Sequence, residues 1–232
     1  MADKQDLRSY LDILDGAGKL HRITRPINKD TELGPLVRWQ FRGLPEEQRS
    51  GFLFDNVTDS RGREFNARVA VGIYASSTQV YALGMGAEED AIRDRWLQAR
   101  AKPTPPVMVD DGPVQEEVHM GGSLLDHDGI EEFPVPNFTP GFDVAPYTTA
   151  SNFVTRDPAS GALNVGNYRG QIKGPDRMGV FINPHNHGGH NWREHRELGR
   201  DMEVALVIGG PPALTFTAGA RLPFGVEEYT VA

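Results

Sequence analysis

The stretch TASNFVTRDPASGALNVGNYRGQIK, residues 149–173, decides the fold of this chain. It contains two strand-like runs, Ser151–Asp157 and Leu163–Lys173, joined by the turn-forming residues DPASG, and this pattern predicts a β-hairpin with a loop. The second run carries Asn164 and Arg169 close to glycines. An arginine there can hold a carboxylate or a phosphate through two parallel hydrogen bonds, although an exposed strand arginine would give the same pattern.

Further strand patterns follow the hairpin. Met178–Asn183 and Glu203–Ile208 predict two strands, and a short polar helix is predicted between them at Trp192–Gly199. We therefore expect the later part of the chain to be mainly β.

The region before the hairpin has a mixed α/β pattern. Apolar residues at helical spacing predict a first helix with Asp6 as its N-cap; they are Leu7, Tyr10, Leu11 and Leu14. Further helices are predicted from Asp30 through Val37 and over Glu88–Arg100. Strands are predicted at Leu20–Ile23, Gly51–Val57 and Arg68–Ile73. The proline-rich segment Lys102–Gly112 predicts a boundary between domains at 1–110 and 111–232.

The composition excludes several classes of protein. The 232 residues include no cysteine, which excludes a disulfide framework, a thiolate metal site and a cysteine nucleophile. The formal net charge of −8, with Lys and Arg spread along the chain, argues against a nucleic-acid surface. No run approaches the roughly 18 apolar residues of a membrane helix, and the polar N-terminus shows no signal peptide, so we expect a cytoplasmic protein.

Four of the seven histidines lie within the segment PHNHGGHNWREH, residues 184–195. They are His185, His187, His190 and His195. We expect this segment to form a loop after a strand, and its histidine density favours at least one metal ligand, although a solvated polar loop explains any single histidine. A metal-dependent hydrolase is one function that this loop would serve. The chain lacks the HExxH motif, the phosphate-binding P-loop and the GxSxG motif.

The stretch FTAGARLPFGVEEY, residues 216–229, predicts an irregular loop near the end of the chain. Glu227 and Glu228 follow this loop and offer a carboxylate that could join the histidines at a metal.

At these motifs the sequence resembles the UbiD family of reversible decarboxylases, which use prenylated flavin mononucleotide (prenylated FMN). The resemblance runs from DLRSYLDILDGAGKLHRI (6–23) through FLFDNV (52–57) and the hairpin to VIGGPPALTF (207–216) and LPFGVEEY (222–229). The Asn-x-Gly-x-Tyr-Arg motif of the hairpin is intact. The resemblance implies an α+β fold, with the N-terminal α/β domain followed by the first part of a split β-barrel that binds flavin and metal.

The resemblance also implies roles for individual residues. Asn164 and Glu228 match two metal ligands of the family, and Arg169 matches its catalytic arginine. His185 is expected as the metal histidine, with His187 as the alternative. The implied ion is divalent, typically manganese, with potassium nearby, and it would anchor the flavin phosphate.

The flavin itself is expected to bind two segments of the chain. The implied contact residues are Gly166, Asn167 and Tyr168 in the hairpin and Ala218, Gly219, Ala220 and Arg221 near the end, together with Asn164, Arg169, His185 and Glu228. In the family this cofactor acts as an electron sink for decarboxylation of aromatic or α,β-unsaturated acids. The family's small hydroxyl residues in the second segment are here Ala218 and Gly219, so we expect side-chain hydrogen bonds to be lost there.

The family places two proton-transferring glutamates downstream of the metal glutamate, whereas this chain has four residues after Glu228. We therefore expect a second polypeptide or a longer chain to supply the remainder of the site, within an oligomer. Beside the metal-dependent hydrolase, two functions that follow from the resemblance stay open at this point. One is a subunit or N-terminal part of a decarboxylase, and the other is a non-catalytic flavin-binding or assembly subunit.

Overall fold

The computed structural model of the protein describes residues 6–232, which contain both helices and strands. The α-helices are α1 (Leu7–Gly16), α2 (Leu33–Gly43), α3 (Thr78–Met85), α4 (Ile92–Ala101), α5 (Ser123–Asp126), α6 (His187–Glu197), α7 (Pro212–Gly219) and α8 (Glu228–Val231). The strands are β1 (Leu20–Ile23), β2 (Ile27–Asn28), β3 (Gly51–Phe54), β4 (Val57–Thr58), β5 (Glu64–Phe65), β6 (Val69–Val71), β7 (Tyr147–Thr148), β8 (Ser151–Arg156), β9 (Leu163–Asn167), β10 (Arg169–Gly174), β11 (Arg177–Phe181) and β12 (Ala205–Ile208).

The described strands form three-stranded sheets that are all open. Their orders are β1-β3-β6, β2-β4-β5, β11-β10-β7 and β12-β8-β9. The predicted hairpin is confirmed, because β8 and β9 pair antiparallel with Asn152 opposite Asn167. This hairpin is the scaffold on which the candidate site is built.

The predicted second strand of the hairpin divides at Tyr168. Strand β9 ends just before this residue and pairs with β8, whereas β10 begins just after it and pairs with β7 and β11. The Tyr168 ring turns back over the hairpin and lies 5.9 Å from the Phe153 ring, measured between centroids. A continuous strand over Leu163–Lys173 is therefore wrong, because the chain changes sheets at the tyrosine.

The first predicted helix is confirmed, and it anchors the N-terminal core. The Asp6 side chain accepts a hydrogen bond from the Ser9 amide at 2.8 Å and so caps α1. Tyr10 is fully buried, and its hydroxyl lies 2.6 Å from the Ile73 carbonyl oxygen and 2.9 Å from that of Val80. This hydroxyl ties α1 to the start of α3.

The second helix begins later and ends later than predicted. Asp30 does not cap it, because its carboxylate pairs with Lys29 at 2.6 Å and accepts a hydrogen bond from the Ser60 amide at 3.1 Å. Helix α2 instead starts at Leu33. The sequence reasoning also missed α3, which begins after Ser77, whose hydroxyl accepts a hydrogen bond from the Val80 amide at 3.2 Å.

The later region is not mainly β, because α5 to α8 lie within it. The predicted helix at Trp192 begins at His187 instead, since the Asn186 side chain accepts a hydrogen bond from the Gly189 amide at 2.8 Å and caps α6 there. Most of the histidine segment is thus helix rather than loop.

Several contacts join residues on either side of the predicted boundary at residue 110. Arg38 donates a hydrogen bond to the Phe138 carbonyl at 2.9 Å, and the Tyr74 hydroxyl donates one to the Gly210 carbonyl at 2.8 Å. The division into domains 1–110 and 111–232 stays a prediction. None of the helices described is both long and apolar enough to cross a membrane.

Candidate functional site

The open edge of β9 is covered by two carboxylates. Glu228, the first residue of α8, accepts a hydrogen bond from the Val165 amide at 2.8 Å, and Glu227 accepts one from the Leu163 amide at 2.6 Å. Because β8 occupies the other edge, the two side chains take up amides that a further strand would otherwise use. Glu228 is 3% exposed, so this edge holds a carboxylate away from water.

The imidazole of His187 lies beside this carboxylate. Its Nδ1 is 4.0 Å from Oε1 of Glu228. Burial raises the pKa of Glu228, while the hydrogen bond from Val165 and the nearby His187 act in the opposite direction. The free-energy cost of burying this charged carboxylate is only partly offset by its neighbours, and a bound cation would stabilise the charged form.

Asn164 is held in the same part of the hairpin by Thr155. The Asn164 Nδ2 donates to Thr155 Oγ1 at 3.1 Å, and Nδ2 of Asn191 on α6 donates to the same oxygen at 3.0 Å. All three side chains are at least nine-tenths buried. One hydroxyl therefore ties β9, β8 and α6 together and places Asn164 next to Val165, the residue that binds Glu228.

His185 lies outside this cluster. It is exposed, and its backbone amide donates to the Asn183 side chain at 2.9 Å in the turn before α6. The structure brings His187, rather than His185, to the carboxylate of Glu228. The geometry favours the alternative histidine, since helix α6 begins at residue 187 and orients its side chain toward α8.

The chemistry of the cluster can be compared with the needs of a divalent ion. Within residues 6–232, no group of three or more His, Cys, Asp or Glu side chains is placed to hold a metal. The cluster offers one imidazole, one carboxylate and the amide of Asn164, a mixture of nitrogen and oxygen donors that suits manganese and similar ions. The donor types thus fit the ion that the resemblance implies.

Tyr168 closes the cluster from the side of α6. Its hydroxyl accepts a hydrogen bond from the Gly188 amide at 3.3 Å, and burial raises its pKa. A Cβ atom at Gly188 would lie 2.6 Å from this hydroxyl, and one at Gly166 would overlap the ring itself. Glycine is therefore required at both positions for the helix and the hairpin to approach the tyrosine this closely.

Arg169 faces an open cavity of about 380 Å³. Its guanidinium carbon is 5.7 Å from the centre of the Phe181 ring, an exposed cation–π contact. The lining residues are Thr149, Asn167, Tyr168, Arg169, Phe181, Asn183 and Asn186. The sequence analysis did not predict a role for Asn183 or Asn186. Their positions on either side of Pro184 and His185 already indicated a cluster of polar side chains.

The two segments predicted to contact flavin are neighbours. Asn167 donates a hydrogen bond from Nδ2 to the Thr215 carbonyl of α7 at 3.0 Å, and a Cβ atom at Gly219 would meet the same nitrogen at 3.4 Å. Ala218 and Gly219 form the last turn of α7 instead of an irregular loop, and Ala220 and Arg221 follow it. The apolar run PPALTF forms a helix because it begins with Pro212 at its first position and packs on the hairpin.

Comparison with known proteins gives consistent matches. Residues 107–232 match the family described as UbiD, 3-octaprenyl-4-hydroxybenzoate carboxy-lyase Rift-related domain. An uncharacterized protein of Aquifex aeolicus is 30% identical over 243 residues, which cover 98% of this chain and 48% of that protein. A phenolic acid decarboxylase of Streptomyces sp. is 28% identical over 236 residues, which cover 98% of this chain and 47% of that protein.

Among solved structures, an evolved dimeric form of the UbiD-class enzyme HmfF from Pelotomaculum thermopropionicum, in complex with prFMN, has the same fold. Its TM-score is 0.84 at 29% identity, and the match covers 98% of this chain and 50% of that one. The likeness confirms the predicted fold class. This chain spans about half the length of the curated relatives that it matches. Because the family match covers more than half of the chain, and the hairpin motif and fold agree with it, the chain belongs to the UbiD family.

Proposed function

We propose that this chain provides the flavin- and metal-binding part of a prenylated-FMN-dependent reversible decarboxylase acting on aromatic or α,β-unsaturated carboxylic acids. The observation that carries the proposal is the pairing of His187 with buried Glu228 at the first turn of α6. Asn186, which caps this helix, also lines the Arg169 cavity. The first turn of α6 therefore joins one candidate metal ligand, His187, to the candidate substrate cavity.

The proposed metal ligands are Asn164, His187 and Glu228, and the proposed ion is manganese, with potassium nearby. His187 replaces His185 in this set because its Nδ1 lies 4.0 Å from the Glu228 carboxylate, whereas His185 is exposed. The two oxygen donors suit a hard cation that also binds phosphate, so the ion would anchor the flavin phosphate.

The proposed flavin contacts come from Gly166–Tyr168 and Ala218–Arg221. The proximity of Gly219 to the Asn167 side chain supports this, because both segments then line one surface. Prenylated FMN, when bound, supplies the electron sink for decarboxylation. The residues of this chain would bind the cofactor and orient it against the Arg169 cavity.

Arg169 is the proposed catalytic residue. Within the described part of the chain no carboxylate lies within ion-pair distance of its guanidinium, although Phe181 lies beside it. Its charge is therefore available to hold a substrate carboxylate through two parallel hydrogen bonds. Such a clamp fixes the orientation of the bond that breaks, and orientation of this kind lowers the barrier to reaction.

We further propose that a second polypeptide or the remainder of a longer chain completes the site, and that the segment 105–127 binds a protein partner. Several apolar side chains of this segment are largely in water: Val107 is 87% exposed, Met108 89% and Val114 90%. The hydrogen bonds described for the segment join its own residues, apart from the one that the Asp128 amide donates to the Leu125 carbonyl. Exposed apolar surface of this extent favours a protein partner.

The charge of this segment indicates the chemistry of that partner. Residues 103–132, which include this segment, contain eight Asp and Glu and no Lys or Arg, and five of the eight lie within 105–127. The formal net charge of residues 103–132 is therefore −8, the same as that of the whole chain. Elsewhere the 24 Lys and Arg are matched by the other 24 of the 32 Asp and Glu. We expect the partner to present a basic surface with apolar pockets, and a second copy of this chain has no net basic charge to offer.

Native mass spectrometry of the chain purified from its own host, with metal analysis and an absorbance spectrum, tests the proposal. We expect a complex that contains a second polypeptide, flavin and manganese. Glu228→Gln should lose metal and flavin together, whereas Glu203→Gln, at an exposed position, should retain both. A wild-type complex without flavin or metal would refute the proposed function.

The same complex distinguishes the two functions that the sequence left open. A catalytic subunit requires the partner to bring acid–base glutamates to the Arg169 cavity, and turnover should then depend on them. If flavin and metal bind but the partner carries no such group, the chain acts as a flavin-binding or assembly subunit. A triple Val107→Ser, Met108→Ser, Val109→Ser variant should lose the partner while keeping its fold, and unchanged binding would place the partner elsewhere.

A further inference from the structure

Phe224 lies between two histidines of α6. Its ring centroid is 5.1 Å from that of His187 and 4.7 Å from that of His190, and the interplanar angles are 83° and 87°. These are edge-to-face contacts, the arrangement that aromatic quadrupoles favour. Phe224 is 61% exposed, so the hydrophobic effect contributes little to holding its ring in this position.

The orientation of the His187 ring depends on few other contacts. Within residues 6–232, no hydrogen bond to this ring is found, and the Glu228 carboxylate lies at 4.0 Å, beyond hydrogen-bonding distance. The main chain of His187 is fixed by the Asn186 cap, but the ring can still rotate about its side-chain bonds. The Phe224 ring is the aromatic contact described for this imidazole, and it restricts this rotation.

His190 holds the opposite end of this arrangement. Residues three apart lie on one face of a helix, so His187 and His190 present their rings to Phe224 together. The His190 Nε2 is 3.9 Å from an oxygen of Asp157, and its Nδ1 is 3.9 Å from an oxygen of Glu194. Carboxylates thus flank His190 on two sides, and its ring forms the second aromatic contact of the phenylalanine.

We propose that Phe224 is a positioning residue for the metal site, because it holds the His187 ring with Nδ1 toward Glu228. The inference rests on the proposed function, since it presumes that His187 and Glu228 bind a divalent ion. Phe224 itself contributes no ligand atom. Its effect is to restrict the imidazole before the ion arrives, so that less conformational entropy is lost on binding.

Mn²⁺ affinity, measured by electron paramagnetic resonance on the purified native protein, tests this role. Phe224→Leu should weaken Mn²⁺ binding by about tenfold, the effect typical of groups that orient a ligand. Phe224→Tyr keeps the ring and should restore affinity to within about twofold. Phe142→Leu is the matched control, because Phe142 is 85% exposed and should not affect Mn²⁺ binding.

Two further measurements separate positioning from general destabilisation. The ¹⁵N spectrum of the His187 imidazole should change in metal-free Phe224→Leu while the unfolding midpoint in urea stays the same. His190→Ala removes one of the two rings that hold Phe224, and it should give an Mn²⁺ affinity between those of the wild type and Phe224→Leu.

The outcomes distinguish this inference from the proposed function. Wild-type protein that binds no Mn²⁺ would overturn the metal site and this inference with it. If the wild type binds Mn²⁺ and both Phe224→Leu and His190→Ala bind it with the wild-type affinity, the role of Phe224 alone would be overturned.

Discussion

Glu228 accepts a hydrogen bond from the backbone amide of Val165 at 2.8 Å, and this contact fixes the carboxylate one residue from Asn164 along β9. The two candidate oxygen ligands are more than 60 residues apart in sequence. The fold brings Glu228 to the residue next to Asn164 because α8 lies at the open edge of β9. His187 approaches from α6, so three elements converge on one buried carboxylate.

The contribution of Glu228 to the stability of the metal-free protein should fall as pH rises. Burial raises the pKa of Glu228 above its value in the unfolded chain. The folded protein therefore holds this proton at pH values where the unfolded chain has released it, and the free energy of unfolding decreases from the ordinary carboxyl range up through the raised pKa. Glu228→Gln lacks this titration, so its stability relative to the wild type should increase across that window.

Urea unfolding at a series of pH values checks this expectation, with Glu203→Gln as the control. Parallel pH profiles for the wild type and Glu228→Gln would show that Glu228 does not titrate differently in the folded state. Because Mn²⁺ competes with the proton for the same carboxylate, Mn²⁺ affinity should also increase with pH across the window.

Arg169→Ala should reduce turnover of the assembled enzyme by at least about 100-fold, since it removes a charged donor from the cavity. Metal content should stay the same, because the proposed metal ligands do not include Arg169. Arg177→Ala, on the exposed strand β11, is the matched control and should retain activity. Steady-state rates for Arg169→Ala that equal those of the control would rule out the catalytic role.

Gly188→Ala should disturb the approach of α6 to the hairpin. The added Cβ atom would lie 2.6 Å from the Tyr168 hydroxyl, so the helix or the ring must shift, and we expect a loss of about 1–3 kcal/mol in the free energy of unfolding. Gly174→Ala adds the same atom where nothing lies within 4 Å and should change stability by less than about 0.5 kcal/mol. Urea unfolding compares the two variants, and equal midpoints would contradict the close approach.

Thr155→Val should destabilise the site through two amides at once. The valine cannot accept the hydrogen bonds from Asn164 and Asn191, and each buried donor left without a partner costs about 1–3 kcal/mol. Thr155→Ser keeps the hydroxyl and should lose only about 1 kcal/mol, through the missing methyl group. Equal losses in the two variants, measured by chemical unfolding, would show that packing rather than hydrogen bonding matters at this position.

Local sequence patterns predicted those helices and hairpins that are specified by residues close together in the chain. The α1 stripe from Leu7 to Leu14 and the hairpin around DPASG were both confirmed, because helical spacing and turn residues act at short range. The predicted start of helix α6 was too late, because its N-cap residue, Asn186, was not recognised within the histidine segment. Helices α3 and α7 were missed, because their apolar runs gain stability from partners elsewhere in the chain.

The sequence by itself determined the family, the hairpin motif and the residue types available for the site, because these depend on the order of residues along the chain. It did not determine which histidine meets Glu228. A shift of two positions along a loop leaves the local pattern unchanged, but the start of α6 decides which side chain turns toward α8. Only the tertiary structure made that choice, since contacts between residues far apart in the chain depend on how its elements pack.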